Sequence, residues 1–277
     1  LITKKSIFAL NRSPLALKQH LDHNVRFNQQ VENSEAYVLP FIEATQPIQP
    51  GKSILEIGTG EGGVLLPFIK KGCHTVGVDL APERIELANQ LLEDEVKAGK
   101  AEFLCMNIFE DAFLRRFKNS FDVIILKDVI EHVHEQEKFI PYLHQLLKPG
   151  GQVFFGFPPW YMPFGGHQQT ARVKWVSVLP YYHILPNFLY KGILKLAGEH
   201  EGIIADLMEI KDTRISIERF ERIVKQSNFK ILRKQHYLIN PIYKYKFGLQ
   251  PRKQWGPITH IPFLRNFVTT CVYYTIG

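Results

Sequence analysis

The sequence predicts an α/β fold, a doubly wound and mostly parallel sheet with helices on both faces. Three observations predict it. The apolar run 54–57 breaks into Gly58-Thr59-Gly60-Glu61-Gly62-Gly63 before a second apolar run at 64–69, the pattern of a buried strand, a tight turn and a helix start. That strand–turn–helix unit recurs four times without interruption up to Phe157, which calls for parallel strands and right-handed crossovers. Residues 121–126 form a nearly unbroken apolar run holding only Asp122, as expected of a central strand covered on both faces.

In order, residues 1–30 hold two short apolar clusters, at 7–10 and 15–17, split by Asn11 and Pro14. A helical pattern runs from Val31 to Ile42, with Pro40 as an expected kink or break. Pro47, Pro50 and Gly51 turn the chain into the first strand. After the glycine turn a helix carries Leu65, Leu66, Phe68 and Ile69, with Gly72 placed to cap it. A second strand, 74–78, ends at Asp79, and Pro82 opens a helix expected to reach about residue 98. A third strand at 101–106 leads to Asn107 and Ile108. The fourth strand ends in Lys127-Asp128-Val129-Ile130-Glu131-His132-Val133. A helix is expected over 135–147, stopped by Lys148-Pro149-Gly150-Gly151, and strand five over 152–157.

Composition narrows the class. The 277 residues, 45% hydrophobic and 22% charged, suit an ordinary globular protein. A net charge of +7 permits an anionic partner, but no compact Lys/Arg block or nucleic-acid motif accompanies it, so no nucleic-acid partner is expected. Cys73, Cys105 and Cys271 have no paired spacing and read as reduced thiols of a cytoplasmic protein. No run approaches the roughly 18 apolar residues of a spanning helix, and the N-terminus lacks the apolar core of a secretory signal.

The glycine turn admits two ligands. Gly58, Gly60 and Gly63 satisfy G-x-G-x-x-G, a dinucleotide signature, but Glu56 at the strand end would repel a pyrophosphate and favour a cation. Asp79 lies 21 residues past Gly58, close to the roughly 20-residue interval of an acid that grips ribose hydroxyls. A helix-capping aspartate is the alternative for that position. With Glu56, Gly58, Gly60 and Gly62 as they stand, the stretch resembles motif I of the class I S-adenosylmethionine-dependent methyltransferases. The succession of that turn, Asp79, the 121–126 strand and Leu147-Lys148-Pro149-Gly150-Gly151 resembles the core of that family. The resemblance implies a seven-stranded Rossmann-like sheet closed by an antiparallel pair. It also implies S-adenosyl-L-methionine as cofactor, held by Glu56, Gly58, Thr59, Gly60, Gly62, Asp79, Leu80, Asn107, Ile108 and Lys127. Asn107 stands where the family often has an acid that reads the adenine amino group, a role its amide oxygen can fill.

After strand five the pattern stops at Pro158-Pro159-Trp160-Tyr161-Met162-Pro163-Phe164-Gly165-Gly166-His167. The expected organisation is an N-terminal helical segment at 1–50, a cofactor-binding core at 51–157, an inserted aromatic-rich cap at 158–210, and a C-terminal helix with closing strands at 211–277. The same 158–210 stretch, with Trp175, Phe188, Leu189 and Leu196, suits a homodimer or peripheral membrane contact as an alternative to a cap over the acceptor. From Ser216 a capped helix begins, 229–239 reads as an edge strand, and 267–276 as the last strand.

Methyl transfer needs alignment of donor and acceptor and sometimes removal of a proton. His132 and His167 are the candidate bases, and packing is weighed above catalysis for His132. Asp128, Glu131 and His132 resemble the acid-x-x-Glu-His segment of the ubiquinone-pathway O-methyltransferases, where a metal assists. Metal-free relatives carry Glu-His-Val as well, so no metal is assigned. The expected activity is methyl transfer to a small or lipid-like acceptor, at oxygen before nitrogen or carbon. An NAD(P)-dependent oxidoreductase and a non-catalytic protein of the same fold are the alternatives.

Overall fold

The computed structural model describes residues 22–277. The apolar clusters expected at 7–10 and 15–17 lie outside the described residues. The chain runs α1 (His23–Asn33), α2 (Leu39–Glu43), β1 (Ser53–Ile57), α3 (Leu66–Lys70), β2 (His74–Asp79), α4 (Pro82–Leu91), α5 (Glu93–Lys97), β3 (Ala101–Cys105), α6 (Asp111–Phe117), β4 (Phe121–Lys127), α7 (Gln136–Tyr142) and β5 (Leu147–Phe157). Then come α8 (Lys174–Ser177), α9 (Asn187–Leu196), α10 (Glu201–Thr213), α11 (Ile217–Gln226), β6 (Ile231–Ile239), α12 (Tyr243–Phe247), β7 (Arg252–Lys253) and β8 (Cys271–Ile276).

The strands make one sheet in the order β3-β2-β1-β4-β5-β8-β6-β7. The first five are parallel. β8 is antiparallel to β5 and to β6, the expected closing pair. The sequence leads to seven strands, and the eighth is the two-residue β7, which covers part of the edge of β6. β7 pairs only with Tyr237 and Ile239, so the rest of β6 is the sheet's edge, as expected of 229–239.

Side-chain alternation sends each central strand into two cores. Leu55, Ile57, Ile124, Leu126, Val153, Phe155, Val272 and Tyr274 pack on one face with Phe139, Ile140 and Phe220. Ile54, Val123, Ile125, Phe154, Cys271 and Tyr273 pack on the other with Phe41, Phe68 and Ile85. Each such side chain contributes roughly 1.5–3 kcal/mol by leaving water. A third cluster, built from Val176, Tyr182, Tyr190, Leu194, Ile203, Ile204 and Leu207, belongs to the stretch between β5 and α11.

Several element boundaries differ from the sequence reading. The first helix begins at His23 rather than Val31 and reaches Pro40 through a π-helical turn at Ser34–Val38. A proline lacks its N–H and crowds the carbonyl four residues back, and a widened turn relieves both faults. Pro40 thus falls in the first turn of α2 and does not end the helical stretch. The helix opened by Pro82 is interrupted at Leu92, which leaves helical geometry at φ −122° and ψ 33°. α6 carries no periodic run long enough to announce it, yet Phe113 and Phe117 anchor it. The helix expected at 135–147 ends at Tyr142 with a 3-10 turn beyond, because Pro141 weakens it, and β5 starts at Leu147. β8 starts four residues later than expected, behind a helical turn at Leu264–Phe267. Ser216 caps α11 as expected, accepting from the Arg219 N–H at 3.1 Å. Among the described residues no helix is long and apolar enough to cross a membrane.

Candidate active site

β1 delivers Glu56 into the core and ends at Ile57, where Gly58 turns the chain at φ +72°. A Cβ at Gly58 would stand 2.5 Å from Val129 Cγ2, so glycine is required there by both backbone and packing. The turn is tied to its neighbour, because the Gly58 and Thr59 N–H groups donate to Val78 O at 2.8 and 3.0 Å. Asp79 at the end of β2 secures it further, accepting from Gly60 N at 3.0 Å and from Ala81 N at 3.1 Å. Asp79 thus closes a turn just ahead of α4, whose N-cap is Ala81 with no side-chain cap, and it also lines an open cleft.

Glu56 is 2% exposed, with the Thr59 hydroxyl donating to Oε2 at 2.8 Å. Burial pushes its carboxyl up to about 8, against Thr59 and Lys127, which pull it down. Glu61, also buried, behaves oppositely. Burial opposes its ionisation, but Arg26 and Arg84 overcome this and hold it below the usual carboxylate range. Its partners come from α1: Arg26 at 3.3 Å, Gln30 Nε2 at 3.1 Å and His23 at 3.5 Å. Gln30 Oε1 in turn accepts from Gly63 N at 3.1 Å. α1 therefore lies over the glycine turn, and α12 holds α1, since Gln29 Nε2 donates to Tyr245 O at 3.2 Å and Tyr245 Oη to Glu32 O at 3.2 Å.

The cleft beside this turn is lined by Gly58, Asp79, Leu80, Asn107, Ile108 and His132 of the expected set. Ile57, Val78, Arg84, Met106, Phe109, Asp128 and Val129 complete it. Glu56 and Thr59 lie buried behind the turn. Gly60 faces Arg84 and Gln30, and Gly62 packs on Phe103. Lys127 pairs with Asp128 at 2.6 Å. Asn107 Oδ1 already accepts from Phe109 N at 3.1 Å, leaving one lone pair for a second donor. Arg84 and Arg26 were missed by sequence reasoning, since charged residues at a helix start read as solvated surface.

At the far end of the cleft, β4 gives way to Asp128 at φ +55°, and a short 3-10 turn carries Glu131 and His132. The loop after β5 brings His167, itself at φ +55°, to a ring-centroid distance of 4.9 Å from His132. Ligand atoms of Glu131, His132 and His167 lie within 4.8 Å of one another. Burial lowers His132 to about 4 and His167 to about 3, so both rings are neutral at neutral pH. Burial, then Asp128, raises Glu131 well above its ordinary value. Among the described residues neither of its carboxylate oxygens has a hydrogen-bond partner.

The loop carrying His167 is fixed by its own network. Trp160 N donates to Ile215 O at 2.8 Å. His183 Nε2 donates to Trp160 O at 2.8 Å, and its Nδ1 accepts from Gln168 Nε2 at 3.1 Å. The buried Lys211 ammonium donates to His183 O and Leu185 O and sits 5.7 Å from the Trp160 ring centre. Trp160, 5% exposed, is thereby a packing residue of this segment.

A methyltransferase-domain family model matches residues 29–189, more than half of the chain and all of the cleft described above. The chain belongs to the S-adenosylmethionine-dependent methyltransferases. Members similar to it include phosphoethanolamine N-methyltransferase 2 of Caenorhabditis elegans, 32% identical over 117 residues, 42% of this chain and 26% of that protein. The ubiquinone biosynthesis O-methyltransferase of Paracidovorax citrulli is 30% identical over 117 residues, 42% of this chain and 48% of that protein. The chain spans at most about half the length of these curated relatives. Among solved structures, geranyl diphosphate C-methyltransferase of Streptomyces coelicolor superposes with a TM-score of 0.56 at 13% identity, over 97% of this chain and 88% of that one. A sarcosine dimethylglycine methyltransferase of Galdieria sulphuraria gives 0.57 at 14% identity, over 88% and 85%. These distant likenesses speak for the fold. Family membership displaces the oxidoreductase reading of Gly58, Gly60 and Gly63, and Gly63 instead packs beneath Phe27 and Gln30 of α1.

Proposed function

We propose that this chain transfers the methyl group of S-adenosylmethionine to an oxygen of a small or lipid-like acceptor. The carrying observation is the meeting of His132, at the end of the cleft, with Glu131 and His167 from the post-β5 loop. The residues fit the donor: a glycine turn with no room for a Cβ borders the cleft, and a buried carboxyl, Glu56, stands behind it. In this reading Gly58, Gly60 and Asp79 hold the ribose and methionine parts, and Leu80, Asn107 and Ile108 hold the adenine. Glu56 and Lys127 set the charge near the methionine end, while Thr59 and Gly62 keep the turn in shape. The bound sulfonium supplies an already activated methyl carbon, so the protein's task is alignment and exclusion of water. A half-buried, neutral His132 or His167 can take the acceptor's proton without first losing its own. Residues 158–210 act as the cap over the acceptor, held shut by the Lys211–His183–Trp160 network.

Three of the relatives named above act on a phosphorylated amine, a quinone precursor and an isoprenoid diphosphate, as their names state. A panel of phenols, phospho-amines and prenyl phosphates therefore tests the acceptor class. His132→Ala and His167→Ala should keep donor affinity in a calorimetric titration while transfer from radiolabelled donor falls at least tenfold. Unchanged turnover in both would overturn the assignment. A divalent cation held by Glu131, His132 and His167 is a second reading, favoured by the unpartnered Glu131 carboxylate. It predicts that a chelator abolishes turnover and that Glu131→Ala loses bound metal with activity.

A further inference from the structure

Helix α9 is seated on the third core by Tyr190 and Leu194, both fully buried. The opposite side is apolar as well, with Phe188 74% and Leu196 91% exposed and Leu189 beside them. At 100° per residue Phe188, Gly192, Leu196 and Leu189 form one strip, and the exposed Lys191 and Lys195 border it. Lys195 pairs with Glu201 at 3.0 Å, a contact in which both side chains stay more than half exposed. Trp175 and Val178, on and just after α8, are 53% and 60% exposed.

A second apolar stretch adjoins the first. Tyr181 Oη donates to Phe267 O at 2.9 Å, which joins the 178–181 segment to the loop ahead of β8. That loop exposes Trp255, Ile261, Phe263 and Leu264. Phe263 adopts φ +63°, unusual for an aromatic residue, and its N–H donates to Glu218 Oε1 at 3.0 Å. So large apolar side chains of two segments far apart in the chain are exposed, and the segments are joined at Tyr181 and Phe267.

Charge indicates what covers them. From Lys138 to Gly198, and again from Arg222 to Gly277, the chain contains no Asp or Glu. Exposed cations on or beside α8, α9 and residues 255–264 include Lys174, Lys191, Lys195, Arg252 and Lys253. Of the neighbouring carboxylates, Glu201 is exposed and paired with Lys195, and Glu199 is buried and accepts from the Arg172, Val173 and His200 N–H groups. Glu218 is committed to Arg265, Asn266 and Phe263. A second copy docking through this face by two-fold symmetry would set lysines against lysines. A bilayer rich in anionic lipid meets both properties, taking the aromatic and aliphatic groups into its boundary and the lysines at its headgroups. We infer that the face formed by α8, α9 and residues 255–264 docks the protein on an anionic lipid surface. This is independent of the methyl-transfer reading. Gln168 Nε2 donates to Pro163 O at 2.8 Å within its own loop and to Leu179 O at 3.5 Å, which ties the 178–181 segment to the loop that carries His167.

Vesicle flotation tests the inference, with the full chain and liposomes of phosphatidylcholine alone or mixed with phosphatidylglycerol. The wild type should float with the anionic vesicles, stay below with the neutral ones, and detach at about 1 M salt, where the Debye length is about 3 Å. Phe188→Ser with Leu196→Ser should weaken partitioning at least tenfold. Lys191→Glu with Lys195→Glu should do the same through charge. Both variants alter exposed side chains and should keep the wild-type melting temperature and donor affinity. Absence of anionic-vesicle binding, or binding unchanged in both variants, overturns the inference. So does a lipid-free dimer in sedimentation that the Phe188→Ser/Leu196→Ser variant converts to monomer, which would make the face an interface between copies.

Discussion

Donor binding should release a proton from Glu56. In the free protein that carboxyl is buried, receives one hydrogen bond, from Thr59, and is pushed up to about 8. It therefore carries its proton at neutral pH. An ammonium arriving nearby favours the ionised form and pulls the value down. Affinity should then rise with pH, by about 1.4 kcal/mol or close to tenfold per unit. Between about pH 5.5 and 7 the gain is on the order of 2 kcal/mol, or roughly thirtyfold. The useful window closes near pH 7.5, where the donor's own α-amino group begins to lose its proton. Calorimetric titration in two buffers of different ionisation enthalpy counts the proton directly. Glu56→Gln should bind with no slope and release nothing. A pH-independent wild-type affinity, or the same slope in Glu56→Gln, would refute the reasoning. Stability of the free protein has its own sign. The folded value lies above the unfolded one, so stability falls as pH rises from about 4.5 towards about 8 and is level beyond.

Gly58→Val puts a branched side chain at φ +72° and against Val129, so donor affinity should drop at least tenfold, and calorimetric binding equal to wild type would show that the turn tolerates it. With donor saturating, kcat should stay level from about pH 5.5 to 7.5, because His132 and His167 are lowered to about 4 and 3. A fall around pH 6.5 in the rate profile would assign the proton transfer to a solvated histidine instead. Asp122 should stabilise the fold at pH 7. Burial opposes its ionisation, but Lys148, the Ser53 N–H and Lys52 overcome it and hold it at about 2. This stability is present above about pH 4 and is lost as pH falls towards 2, so denaturant midpoints of Asp122→Asn and wild type should converge in acid.

The parallel half of the fold is plain in the sequence because its central strands are filled with apolar residues, and glycine or proline flanks β1, β2 and β5. Ile54–Ile57 and Phe121–Leu126 could hardly be solvent-facing. The cleft residues attached to that half, Gly58, Asp79, Leu80, Asn107 and Ile108, follow from position relative to strand ends. What the chain hides is tertiary. The pairing of Glu61 with Arg26 and Gln30 spans more than thirty residues, and no local pattern marks a buried acid that will be neutralised by a preceding helix. His167 is legible as a candidate, but its approach to His132 depends on Gln168, His183 and Lys211, which read as ordinary polar residues. Trp160 is equally illegible: nothing in the Pro158–His167 stretch marks which of its aromatics is buried, and this ring packs against His183.

The strand order also constrains when the sheet can be finished. β8, the last strand in the sequence, lies between β5 and β6. On a growing polypeptide, α11, β6 and β7 are made before the strand that joins them to the parallel half exists. Until Cys271–Ile276 arrives, β5 presents an open edge flanked by Phe154, Phe155 and Phe157, which is sticky towards other chains. Closure of that edge must be late and non-local, which slows folding and makes the interval before it the time of greatest need for a chaperone.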